Sequence, residues 1–199
     1  QKTIDQATID QETIDNLNTP AGLTANTDIR LWKSSTPITG DATRFVFQSD
    51  RVGNYDIYLM QVNGSHLTRL TQSSADDISP VWSPDGKKIA WGADDFTLCT
   101  AELDTSGPEP RIVNRRDVIK SEKPLEAYHV DWSPDGRYIA FSRGPKKKSL
   151  GPPPEMIGVE AEGWNIWVAD ANATNRWAPV TADGQSNKEP DWVPVKAAP

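Results

Sequence analysis

The sequence predicts an all-β fold, a β-propeller of four-stranded antiparallel blades with three nearly complete blades and a partial fourth. Three observations carry this. Its 199 residues include 8 tryptophans, 16 prolines and 13 glycines, a composition of short strands joined by punctuated turns. One block occurs twice, PVWSPDGKKIAW at 80–91 and VDWSPDGRYIAF at 130–141, placing Trp82 and Trp132 50 positions apart, and a period of that size marks a repeat architecture. Each block leads into alternating apolar segments separated by polar turns, as half-buried hairpin strands require.

Taken in order, the chain opens with an arm at 1–27 in which T-I-D recurs at 3–5, 8–10 and 13–15. A step of five suits neither a helical stripe nor one strand face, since Ile4 and Ile14 share a face while Ile9 points the other way. Two readings of the arm stand. One is an acidic tail too polar to fold; the other is a strand donated to a sheet edge, because threonine and isoleucine favour strands.

Blade one is assigned to 28–75, with Trp32 in LWKSS, then RFVF (44–47), DIYLMQV (56–62) and LTRLT (67–71). Blade two is assigned to 78–118, running from Trp82 through KKIAW (87–91) and TLCTAEL (97–103) to RIVNR (111–115), followed by a long connection at 116–127. Blade three, 127–183, runs from Trp132 through RYIAF (137–141) and NIWVADA (165–171) to RWAPVT (176–181). It carries the insertion GPKKKSLGPPPEMIGVEAEGW at 144–164. A last marker, Trp192 in EPDWVP, makes 187–195 the first strand of a fourth blade with none after it, and 196–199 is a tail.

The W-S-P-D-G block has a turn mechanism. Pro84 and Pro134 preset φ, Asp85 and Asp135 bond nearby backbone, and Gly86 and Gly136 tolerate positive φ. These blocks, with FQSDRVGNYDIYLMQVNGSHLTRLT at 47–71, closely resemble the repeats of TolB-like, or WD-like, β-propellers over roughly 28–195. The resemblance implies a non-enzymatic fold used for protein contacts, often outside the cytoplasm and sometimes appended to a catalytic domain such as a peptidase. Such propellers usually have six blades. An incomplete fourth blade leaves backbone groups in need of a partner: the arm folding back, another copy, or the remainder of a longer protein. The start at Gln1 fits a processed end or a piece of a longer chain.

Charge narrows the partners. A net charge of -7 with a pI near 4.9 argues against nucleic acid and acidic membrane surfaces, and no apolar run approaches the roughly 18 residues of a spanning helix. Lone Cys99 makes no internal disulfide and leaves the redox compartment open.

Catalytic chemistry has little to draw on. The histidines are His66 and His129, both read as ordinary rim residues, and no G-x-S-x-G elbow is present. Cys99 reads as a small buried strand residue. The pairs Asp76–Asp77 and Asp94–Asp95 and the run Asp50, Asn54, Asp56 offer oxygens suited to calcium, but without EF-hand spacing they read as loop carboxylates and Asx turns. No metal and no cofactor are expected.

Two sequons, Asn63-Gly-Ser65 and Asn172-Ala-Thr174, fall in the turn between third and fourth strands of their blades, where glycans are carried if the compartment permits. Asn-Gly is also a preferred hairpin turn, which alone explains Asn63. In the insertion, Lys146, Lys147 and Lys148 precede Pro152, Pro153 and Pro154. Those residues read either as a stiffly presented interaction loop or as a plain solvated one. The expected function is an extracytoplasmic, non-enzymatic interaction or structural module that binds proteins, including copies of itself, and builds an oligomer or filament by strand addition. The alternative is a ligand- or protein-binding propeller portion of a longer protein with a separate catalytic domain.

Overall fold

The computed structural model describes residues 44–61, 63–145 and 163–192. Every regular element among them is a strand, and the strands form three antiparallel sheets. The first contains β1 (Arg44–Ser49), β2 (Asp56–Gln61) and β3 (Thr68–Arg69). The second contains β4 (Ile78–Trp82), β5 (Lys88–Gly92), β6 (Thr97–Asp104) and β7 (Arg111–Lys120). The third contains β8 (Leu125–Trp132), β9 (Tyr138–Pro145), β10 (Asn165–Asp170) and β11 (Trp177–Pro179). Strand order follows chain order within each sheet, the up-and-down meander of a propeller blade. The predicted first strand of blade one, with Trp32, lies outside the described residues, as do the T-I-D arm with Ile4, Ile9 and Ile14, and the Lys146–Lys148 and Pro152–Pro154 runs.

Each pair of neighbouring sheets encloses its own apolar core. Val46, Ile57, Leu59 and Leu70 of the first sheet meet Trp82, Ile89 and Trp91 of the second. Between the second and third, Leu98, Val118 and Ile119 meet Trp132, Ile139 and Phe141. The marker tryptophans are thus inter-blade wedges, with Trp82 4% and Trp132 3% exposed.

The marker turns repeat atom for atom, and serine is their hub. The Ser83 and Ser133 hydroxyls each donate to the Oδ1 of Asp85 and Asp135 at 2.6 Å and accept the amides of Lys88 and Tyr138 at 2.9 and 3.0 Å. Gly86 and Gly136 both sit at φ 68°, where a side chain is strained. The Ser133 hydroxyl holds the Asp135 carboxyl below its usual range.

One expectation needs correction. The 116–127 stretch is not a long connection, because β7 runs to Lys120 and β8 starts at Leu125. Val118 and Ile119, both 0% exposed, drive the extension by entering the core between blades two and three.

Candidate functional site

The chemistry-bearing residues are mostly committed to structure. Asp56, wholly buried, accepts Arg69 Nη2 at 2.6 Å and the Thr71 hydroxyl at 3.3 Å. Asp77 accepts the Trp91 indole N–H at 2.9 Å, and Asp76 accepts the Tyr55 amide at 2.9 Å. Asp94 closes a loop by accepting the amides of Phe96 and Thr97, both at 2.6 Å. Asn54 ties its loop to the next through the carbonyls of Ser73 and Ala75. Among the described residues no three potential ligands gather as a metal site.

Cys99 is buried and donates its thiol to Asp117 Oδ1 at 3.1 Å; burial pushes the thiol up, far from the thiolate a nucleophile needs. The Ser65 hydroxyl lies 2.9 Å from His66 Nδ1, but it also faces Asn63 Oδ1 at 2.7 Å and Gln61 Oε1 at 3.1 Å. The Asn63 and Gln61 oxygens compete for its one proton, the role of the His66 nitrogen is set by its tautomer, and the cluster is the wiring of a hairpin turn. His129 lies inside β8, half-buried at a left-handed backbone position. Both sequon asparagines are exposed on third turns, Asn63 accepting the Ser65 amide at 3.0 Å and Asn172 accepting Lys88 Nζ at 3.1 Å.

The outer faces of blades one and three are unlike. On β1 and β2 the residues alternate. Val46, Ile57 and Leu59 face blade two, while Phe47, Tyr58 and Met60, with Phe45 beside them, form a separate cluster on the opposite face. The register-equivalent residues of blade three, Ile139, Phe141, Trp167 and Ala169, are those packed toward blade two. The Phe45 face is therefore the one by which a blade rests on its predecessor, and among the described residues no sheet packs on it. Arg51 lies over its Tyr58 and Phe47 rings, 4.5 and 5.8 Å from the centroids, a cation–π cap on an aromatic patch.

At the other end, residues 187–192 lie against blade three as the first strands of blades two and three begin. Three residues before Trp82, Trp132 and Trp192 stand Ser79, His129 and Glu189, at φ 52°, 53° and 55°. Two residues earlier again, the amides of Asp77, Ala127 and Asn187 donate to the carbonyls of Tyr55, Asp95 and Trp164 at 2.8, 2.9 and 2.9 Å. In β4 and β8 the left-handed residue falls at a register shift against the next strand, a β-bulge. Trp192 is further held by its amide on the buried Asp131 Oδ2 at 2.8 Å, and Glu189 by its amide on the Ser142 hydroxyl at 2.8 Å. The fourth marker thus repeats the geometry of a blade start. Sequence reasoning located that marker but missed the left-handed residues, because none of the three is glycine or asparagine.

No protein-family model matches the chain. A TolB homolog of Chlorobaculum tepidum is 43% identical over 49 residues, 25% of this chain and 11% of that protein. The Tol-Pal system protein TolB of Alcanivorax borkumensis is 26% identical over 92 residues, 44% of this chain and 19% of that protein. The matches thus span less than a fifth of those relatives' lengths. Among solved structures, the oligogalacturonate lyase of Vibrio parahaemolyticus superposes with a TM-score of 0.61 at 15% identity, covering 82% of this chain and 43% of the lyase. A TolB from Agrobacterium tumefaciens gives 0.53 at 18% identity, covering 79% and 51%. Both likenesses are of fold.

Proposed function

We propose, from repeats that are those of a TolB-like β-propeller, that this chain is a non-enzymatic, extracytoplasmic protein-interaction module that assembles with copies of itself. The observation that carries this reading is the pair of unlike outer faces. On blade one the face by which a blade rests on its predecessor carries an aromatic cluster, with Phe47, Tyr58 and Met60 buried and Phe45 half-buried, and blade three already holds the start of a successor at Glu189–Trp192. Surfaces that differ in this way join head to tail, and the strand edges beside them supply backbone hydrogen bonds. Two candidate nucleophiles among the described residues are committed to structure, which supports a role without catalysis: Cys99 is buried, and Ser65 is shared within a turn. Outside the cytoplasm the exposed Asn63 and Asn172 are candidate glycan acceptors.

Sedimentation of the full chain over a hundredfold concentration range tests this. Species heavier than 22.0 kDa that grow with concentration are expected, and a 22.0 kDa monomer throughout overturns the assembly step.

A second reading is favoured by the coverage, since the matched segments are only 11% and 19% of the TolB relatives. In it the same faces meet further blades of a longer protein, and a larger native mass on immunoblots of the source cells would establish it.

A further inference from the structure

At the outer rim between blades two and three lies a groove of about 990 Å³. One wall is the second half of β7, the other is the β10–β11 turn with Asn172 and Asn175. On a chain of net charge -7 this groove is locally positive: its lining contains Lys88, Arg115, Arg116 and Lys120 against the carboxylates of Glu102 and Asp117.

Those carboxylates are already engaged. Asp117 holds Lys120 Nζ at 3.0 Å and Arg115 Nη2 at 3.4 Å, besides the Cys99 thiol, and Glu102 accepts the Asn114 amide at 2.8 Å. Lys88 rests on the neutral Asn172 oxygen at 3.1 Å. Among the described residues Arg116 has no ion pair. Uncompensated charge in a concave surface focuses the field on an incoming anion.

The backbone of β7 borders this groove. β7 is the edge strand of its sheet. Only its far end is covered from blade three, where Asn175 donates its amide to the Val118 carbonyl at 2.7 Å and accepts the Lys120 amide at 3.1 Å. Along 111–117 β6 pairs one edge of β7, and among the described residues no strand covers the other, so this backbone flanks the groove without a second partner strand.

A ligand matching the groove is an extended polypeptide with spaced carboxylates that lies across the face of β5, β6 and β7, where Lys88 and Arg116 both line it, rather than one paired along the outer edge of β7. The T-I-D segment is such a sequence: residues 3–15 contain Asp5, Asp10, Glu12 and Asp15 and no basic residue. Reach is ample. Arg44, where β1 begins, lines the same small cavity as Thr105, Gly107 and Pro108 of the turn leading into β7, and the stretch 16–43 spans on the order of 90 Å when extended. We propose that the groove beside β7 is the docking site of the chain's own T-I-D segment, with Lys88 and Arg116 receiving its carboxylates. This rests on the reading that the chain is a protein-interaction module, and it names the surface that receives its own arm.

The test uses the full chain. Carbodiimide coupling followed by mass spectrometry should join Lys88 to Asp5, Asp10, Glu12 or Asp15. Arg116→Glu should lower the yield at least fivefold, while the same charge change at exposed Lys123 leaves it unaltered. Amide exchange over 111–117 should be faster in the variant with Asp5, Asp10 and Asp15 changed to Asn. The proposal is overturned if Lys88 never links to 1–15, if Arg116→Glu does not lower the yield, or if exchange over 111–117 is the same in both chains. Mixing heavy-isotope and light copies separates links within a chain from links between chains. Links confined to one chain, with a monomer in sedimentation, uphold docking and refute assembly; oligomers without links do the reverse.

Discussion

At the scale of single residues, buried carboxylates fix the blades, and their settings differ. Asp56 is satisfied by a guanidinium and a hydroxyl, an arrangement in which a buried charge is tolerated. Among the described residues no cation is paired with Asp131. Burial raises its pKa, against the pull of the Trp192 and Trp132 amides. The folded protein therefore takes up this proton at a higher pH than the unfolded chain. The stability linked to it is complete below the ordinary 3.8 and is lost as pH rises through the raised folded value. Asp131→Asn keeps an oxygen for the Trp192 amide and removes the buried charge. We expect that variant to be at least as stable as the parent in urea at pH 7, with the gap closing as pH falls toward 4. A deficit independent of pH would mean that the ionised carboxylate itself is required.

Among the elements, the packing of β9 against Trp164, just before β10, controls how the fourth marker is held. A Cβ placed on Gly144 would lie 2.4 Å from the Trp164 ring, and Trp164 is fully buried with its carbonyl receiving the Asn187 amide. Gly144→Ala must therefore displace the indole from its edge-on contact with Tyr128, 5.0 Å between centroids. A loss of about 1–3 kcal/mol is expected for such overpacking, read by urea denaturation, together with faster amide exchange at 187–192. Much of this architecture was legible beforehand. The tryptophan spacing and the W-S-P-D-G chemistry are local signals, and they located the strands around both marker turns. The end of β7 was not legible, because Arg115, Arg116 and Asp117 interrupt the apolar alternation before Val118 and Ile119 resume it. The groove was illegible for a different reason: Lys88, Thr100, Arg116 and Asn172 meet only when two blades pack, and no window of sequence contains them together.

For the molecule as a whole, two kinds of contact are proposed, and salt separates them. The blade-to-blade contact is placed on the face of Phe45, Phe47, Tyr58 and Met60; Phe45 is half-buried and the other three are already buried within the chain, and apolar packing of this kind does not weaken with ionic strength and is strengthened by excluded salts such as sulfate. The groove contact depends on Lys88 and Arg116 at the surface, where the field is screened to about 3 Å at 1 M salt. Raising sodium chloride from 0.05 to 1 M should therefore abolish the carbodiimide links to Lys88 while leaving the sedimenting species heavy, and ammonium sulfate should make them heavier still. If both observables vanish together, the oligomer is held by the charged segment and the aromatic face of blade one is not its interface. If only the links vanish, head-to-tail packing of blades is the assembling contact, and the T-I-D segment is an accessory strap on blade two. Because the two joined faces differ, such packing stops only when the accumulated rotation closes a ring. The mass at high salt then decides the geometry: a fixed multiple of 22.0 kDa means closure, and a distribution that lengthens with concentration means a filament.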